Sequence, residues 1–396
     1  MKRIVLLLVP LFLAVFFFSS CALMQGKPKG GFSDLNQVHP EGIERIAWSK
    51  LADAEKKHGL NHPSVAAALN ELALACESND KYDYAERYFE RAIKILDETL
   101  GPYHHHTGAT VNNLAECFRR QKKYDKAESL YKRALSIFEF NLGKDHPTLG
   151  ITLSNLGSLY REQRKFKEAE TVFERSLTIR QKSLGEEHSH TATSLNNLAL
   201  LYLAWGRYEK AELHARKALA VREKVLGKNH PYVAADLNCL AQAYKARKNF
   251  AEAEKLFQRA LSIDRNTQGN YHPDVAADWT YLYSLYTAWG GRDDDAKRSL
   301  EKALFVQEKA FAADDPRLDE TLNNLAKIYY TSGEYVKAES LLIRALKIRN
   351  KTMGYDNFLV AETLNNLALV YQARGMYDDV RSCRQRANAI LVRTHK

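Results

Sequence analysis

Carboxamides, imidazoles and thiols are the side chains whose types and spacing could do chemistry in this sequence. Asparagines come in pairs at 112–113, 196–197, 323–324 and 365–366, with further amides at Asn70, Asn155 and Asn238. Each carboxamide carries donor and acceptor together, so a row of them could bond the C=O and N–H of an extended peptide. The three consecutive histidines His104, His105 and His106 are the obvious place for a metal. Successive side chains on a helix point about 100° apart, however, so three in a row should not converge on one ion. No metal and no cofactor are expected. Asp293, Asp294 and Asp295 lack the glycine and spaced ligands of a calcium loop and suit the first turn of a helix. The chain has no Gly-rich phosphate loop, GxSxG elbow or HExxH pair, so no catalytic residues are assigned and a non-enzymatic protein is expected. Cys76, Cys117, Cys239 and Cys383 stand far apart with no CxxC pair and are expected to be free thiols.

Charge and composition narrow the class. Net charge is +10, and +8 without Lys2 and Arg3 (10 − 2). The excess is spread along the chain, and no zinc finger, basic arm or RNP-type aromatic motif accompanies it, so nucleic acid is not expected as a partner. With 45% hydrophobic and 27% charged residues, the composition is that of an ordinary folded protein.

The N-terminus reads as an export signal. Lys2 and Arg3 precede an apolar run from Ile4 to Phe18, interrupted by Pro10 and too short for a comfortable membrane span. Ser19 and Ser20 then precede Cys21, which resembles the bacterial lipoprotein signal, with Phe18 departing from the aliphatic residue usual at that place. The resemblance implies a signal peptide over 1–20 and lipidation of Cys21, which several acyl chains would hold at a membrane. Ala22 after the cysteine implies the periplasmic face of the outer membrane in a bacterial envelope. A second reading has cleavage after Ala22 and a soluble periplasmic or secreted product. Residues 21–41, rich in Gly, Pro and Lys without apolar periodicity, read as a lipidated N-terminus and tether with a reach of roughly 25 Å.

The elements that must position the amides come from a repeat. His62-Pro63, His104-His105, His146-Pro147, His188-Ser189, His230-Pro231, His272-Pro273, Asp315-Pro316 and Asn357-Phe358 open eight units spaced by 42 residues, with one step of 43 around "WGGRDDDA". A period of this length signals a solenoid. Within a unit, Leu195, Leu198, Ala199 and Tyr202 follow helical spacing, Gly206 breaks the run, and Tyr208, Ala211, Ala215 and Ala218 begin a second stripe. The Tyr series ending the first helix (Tyr160, Tyr202, Tyr244, Tyr286, Tyr329, Tyr371) and the Ala series of the second (Ala85, Ala127, Ala169, Ala211, Ala253, Ala296, Ala338) resemble the tetratricopeptide repeat. The longer unit is similar to that of kinesin light chains and their bacterial relatives. The resemblance implies an all-α, right-handed α-solenoid of eight helix-turn-helix repeats. Their bounds are 62–103, 104–145, 146–187, 188–229, 230–271, 272–314, 315–356 and 357–396, with a capping helix at 42–61.

The same resemblance places the first helix of each repeat, helix A, on the concave surface. On a helical wheel Asn197 lies about 150° from the core direction and Asn196 about 110°, on opposite flanks. The groove series is therefore Asn113, Asn155, Asn197, Asn324 and Asn366, interrupted by Cys239 and Tyr281. The wall series is Asn112, Asn196, Asn238, Asn323 and Asn365. Arg119, Arg161, Lys245 and Lys327 add positive charge, with Tyr281 and Trp279 forming an apolar middle. Two readings of the amides stay open at this level, peptide capture in the groove and fixing of one repeat on the next. The first predicts a protein partner contributing an extended, acidic segment. The alternative function is a structural assembly factor for an envelope or pilus complex, acting through the convex face or the ends.

Overall fold

The computed structural model describes residues 42–394. Cys21, the signal segment and the tether lie outside the described residues. Within them the chain forms helices and no strand. α1 (Ile43–His58) packs on α2 (Pro63–Ser78), which opens eight hairpins. These pair α2 with α3 (Tyr82–Thr99), α4 (His105–Arg120) with α5 (Tyr124–Leu142), α6 (Leu149–Glu162) with α7 (Phe166–Leu184), and α8 (Ser189–Trp205) with α9 (Tyr208–Leu226). They continue with α10 (Pro231–Ala246) and α11 (Phe250–Gln268), α12 (Pro273–Trp289) and α13 (Asp293–Ala310), α14 (Asp319–Thr331) and α15 (Tyr335–Met353), and α16 (Phe358–Ala373) and α17 (Tyr377–Thr394). Each helix packs on its chain neighbours, and helix A also touches helix A of the next repeat from α2 through α12 and from α14 to α16. This is an α-solenoid.

The repeat openings act as helix caps. The Nδ1 atoms of His62, His104, His188, His230 and His272 accept the backbone N–H two residues on at 3.1–3.3 Å. Asp315 and Asn357 do the same with a side-chain oxygen at 2.9 Å. An acceptor here satisfies one of the N–H groups that a helix start leaves unbonded. Asp315 caps a short 3-10 turn, Pro316–Leu318, that leads into α14. The turn inside each hairpin needs one left-handed residue, which is Gly206, Gly333 or Gly375 in three repeats but Asp80, Lys122, Arg164 or Lys248 in four others. The sixth hairpin uses two, Gly290 and Gly291, and so absorbs its extra residue.

Small residues let the helices cross closely. Ala85, Ala127, Ala169, Ala211, Ala253 and Ala338 are fully buried where helix B meets helix A. Between α6 and α7 the approach is closer still, because a Cβ on Gly157 would lie 2.5 Å from the Phe173 ring. Tyrosine hydroxyls tie repeats together. Tyr160, Tyr202 and Tyr286 donate to Glu128, Glu170 and Glu254 of the preceding helix B at 3.0, 2.6 and 2.6 Å.

Candidate ligand-binding groove

Helix A presents the groove positions, and the structure divides their amides into two groups. Asn113 Nδ2 donates to Asn70 Oδ1 at 3.0 Å, and Asn155 Nδ2 donates to Asn112 Oδ1 at 3.4 Å. Each groove amide of these repeats therefore bonds the wall amide of the repeat before it. By contrast, the side chains of Asn197, Asn324 and Asn366 are half-buried and bond nothing among the described residues. Their donors and acceptors stay open to a ligand.

The wall series departs from expectation. Asn112, Asn196 and Asn238 are buried between helices and line no groove. Asn238 Nδ2 donates to Asp278 Oδ1 of the next helix A at 2.6 Å. Asn323 turns back on its own helix, donating to the Asp319 carbonyl and carboxylate at 2.9 and 3.0 Å. Asn365 alone is exposed. A wheel drawn for one helix omits the neighbouring repeat, whose packing covers the flank at 110°.

The four cations also separate. Arg119 donates through Nε and Nη2 to Glu116 at 2.9 and 2.5 Å and through Nη1 to Glu162. Tyr131 Oη donates to the same Glu116 at 2.6 Å. Burial works to raise the Glu116 carboxyl, but the Arg119 bonds and the tyrosine outweigh it and hold it at about 2. Arg119 is thus spent within the fold, a correction to its placement among ligand-facing cations. Neighbouring Arg120 pairs with Glu77 at 3.1 Å.

Arg161 behaves differently. It stands six residues beyond Asn155 on α6, half-buried, with no ion pair or side-chain hydrogen bond among the described residues. Burial lowers its guanidinium; Glu162 opposes that shift and Arg119 adds to it. Lys245 is likewise half-buried and depressed by burial, and its Nζ donates to the neutral Ser284 Oγ at 2.6 Å. Lys327 is exposed. Tyr281 is half-buried and stacks on Phe257 with centroids 5.5 Å apart and planes 9° apart; burial raises its hydroxyl to about 12. Trp279 is covered by Lys302, whose Nζ lies 4.2 Å from the ring centroid. Arg161 on α6 and Lys245 on α10 are therefore half-buried cations on the helices A that flank α8, and the Tyr281 ring follows on α12.

Sequence reasoning missed the buried polar spine of helix B. Arg180 reaches Ser194 at 2.9 Å, Arg222 reaches Asp236 at 3.0 Å, and Arg349 bonds both Asp319 oxygens at 2.8 Å. In the fifth repeat the corresponding residue is Asp264. Burial, then interaction with other carboxyls, raises Asp264 to about 6 and lifts its neighbour Asp278 well above the usual carboxylate range. The signal was a polar residue at one register position of helix B in repeats three to seven, Arg180, Arg222, Asp264, Gln307 and Arg349.

The histidine run also departs from expectation. His104 caps α4 with extended backbone, ψ 144°, so it does not follow the 100° progression. Ring centroids lie 4.2, 4.2 and 5.1 Å apart, and a ligand nitrogen from each of the three rings falls within 4.8 Å of the others. Cys76, Cys117, Cys239 and Cys383 are free.

The tetratricopeptide repeat family model matches residues 64–139, 106–182, 148–224, 214–266, 232–309, 282–351 and 317–391. No curated protein sequence matches the chain. Among solved structures the fold is similar to BtubC (BKLC) from P. vanneervenii, 24% identical with a TM-score of 0.50 over 58% of this chain and 92% of that chain. It is similar to a STAND protein with a tetratricopeptide repeat sensor, PH0952 from Pyrococcus horikoshii, 14% identical with a TM-score of 0.56 over 91% of this chain and 53% of that chain. A putative kinesin light chain from Podosopora anserina with nearly identical TPR-like repeats is 28% identical, with a TM-score of 0.45, over 52% of this chain and 98% of that chain. With matches running from residue 64 to residue 391 over helix pairs of the expected register, the chain belongs to the tetratricopeptide repeat family.

Proposed function

We propose that this protein is a non-enzymatic scaffold that holds an extended, acidic segment of a partner protein against the cationic middle of its groove. The observation that carries this reading is Arg161, a half-buried guanidinium with no anion paired to it among the described residues. Burying a charge without a partner is costly, and a ligand carboxylate placed there would offset that cost with charge-assisted bonds. Asn197 supplies an open amide on the next helix A, and Lys245 supplies a second cation on the one after. The scaffold is exported and held at the bacterial envelope through lipidated Cys21, on the periplasmic face of the outer membrane.

Fluorescence anisotropy with the full chain tests the reading. An extended Asp/Glu-rich peptide is expected to bind, weakening as salt rises, while its Lys-substituted counterpart does not. Equal binding of both peptides, or of neither, overturns the groove assignment. Fatty-acid labelling in cells tests the anchor, which requires that label be lost in Cys21→Ala.

One observation favours the second function, assembly through other faces. Tyr103 pairs with Phe140 and Tyr271 with Phe305, ring centroids 5.4 and 6.1 Å apart, and all four rings are exposed on helix B or the inter-repeat loops. Cross-links from a bound partner to these rings and none to helix A would favour that function over groove capture.

A further inference from the structure

The three imidazoles at the start of α4 are the best-formed cluster of ligand groups outside the groove. Three features bear on what they could bind. First, one nitrogen from each of His104, His105 and His106 lies within 4.8 Å of the other two, close enough for side-chain rotation to bring all three onto one ion. Second, the ring nitrogens of His105 and His106 have no hydrogen-bond partner among the described residues, so no internal bond competes for them. Third, the backbone is set by the chain itself, because His104 is the extended cap and the other two occupy the first turn.

We propose that His104, His105 and His106 form a three-nitrogen site for a borderline divalent transition metal, with zinc as the type ion. Imidazole nitrogen suits zinc, copper and nickel, whereas magnesium and calcium need oxygen. Three protein ligands leave a tetrahedral ion one further position. Since His105 and His106 are exposed, that position faces solvent and is open to water or to a side chain of another molecule.

The site carries a specific cost. A neutral imidazole has one nitrogen lone pair to offer, and that of His104 already accepts the His106 backbone N–H at 3.2 Å. Ligation by His104 through either nitrogen must therefore release this cap, because the remaining nitrogen then carries the proton. Loss of a cap lowers affinity roughly tenfold relative to an unencumbered site. The positive end of α4 lowers it further. The expected site is thus weaker than a structural zinc centre, and its occupation is readable at one backbone amide.

Equilibrium dialysis of the full chain against zinc chloride, with the chain's other histidines intact, is the first measurement. One zinc per chain is expected, with affinity falling at least thirtyfold in His105→Ala/His106→Ala. His188→Ala/His190→Ala, which removes the only other two-histidine opening of this kind, should leave zinc binding unchanged. Hydrogen exchange read by mass spectrometry or NMR is the second measurement, and the His106 amide should exchange faster when zinc is bound. Zinc binding that survives His105→Ala/His106→Ala, or no binding at millimolar zinc, overturns the site. Zinc binding that leaves the His106 amide protected overturns the three-ligand assignment. Circular dichroism of the variants confirms that the array remains folded.

Discussion

The two ends of the helix A series use one residue type in opposite ways. Over α2, α4 and α6 the amides are bonded from repeat to repeat, Asn113 to Asn70 and Asn155 to Asn112, and Arg119 is closed off by Glu116 and Glu162. On α14 and α16, Asn324 and Asn366 sit at the same groove positions with no such bond, because their would-be acceptor differs. Asn323 is turned back onto Asp319, and no amide precedes Asn324, since Thr280 stands at the wall position of α12. An asparagine ladder therefore has two states here, a clamp between repeats where the preceding wall residue accepts its donor and an unbonded row of amides where it does not. Arg161 and Asn197 lie at the boundary between them.

The sharpest break in this comparison is charge reversal at its boundary. Arg161→Glu should weaken acidic-peptide binding at least thirtyfold, while Arg119→Ala should change it less than threefold and lower thermal stability instead. Equal effects of the two on peptide affinity would remove the distinction between spent and open cations.

The carboxyl pair at the fifth and sixth repeats gives the next largest effect. Asp264 and Asp278 hold protons in the folded chain at pH values where the unfolded chain has released them. The folded state then binds more protons, so this pair makes stability fall as pH rises from about 4 through about 6. Asp278→Asn should flatten that decline by on the order of 1–2 kcal/mol, measured as the difference between variant and parent in urea midpoints at pH 4 and pH 7. A variant that tracks the parent at both pH values would show that the pair carries no linkage.

The amides themselves give the smallest effect. Asn113→Ala/Asn155→Ala should cost about 1 kcal/mol of stability per bond and leave peptide affinity nearly unchanged. Asn324→Ala/Asn366→Ala should leave the melting temperature in place, and any change in affinity should be confined to peptides long enough to reach α14. Swapped outcomes, with binding lost in the first pair and stability in the second, would invert the assignment of clamp and unbonded row.

Much of the fold was legible because its signals are local. The 42-residue period, the apolar spacing within Leu195–Tyr202 and the small residues at Ala85 to Ala338 act within one hairpin or across its single crossing. The site was less legible because its decisive contacts join residues about 43 positions apart, such as Arg119 to Glu162 and Asn113 to Asn70. A wheel for one helix placed Asn112, Asn196 and Asn238 on a free wall, and only the neighbouring repeat buries them. The histidine run misled for the opposite reason. The assumption of regular helix fails at His104, whose capping role sets an extended backbone. The Tyr160–Glu128 type of bond had a readable trace, since Glu follows Ala127, Ala169 and Ala253 in register, but its partner lies in the next repeat.

The hairpin turns have a consequence of their own. Asp80, Lys122, Arg164 and Lys248 adopt φ of 58–61°, a conformation for which a side chain costs of the order of 1 kcal/mol and which glycine occupies freely in three sister repeats. None of the four belongs to the groove positions. Glycine at Lys122, Arg164 and Lys248 would therefore harden the second, third and fifth hairpins without altering the groove positions. Damaging substitutions could then be studied in that reinforced parent without collapse of the chain being mistaken for loss of recognition.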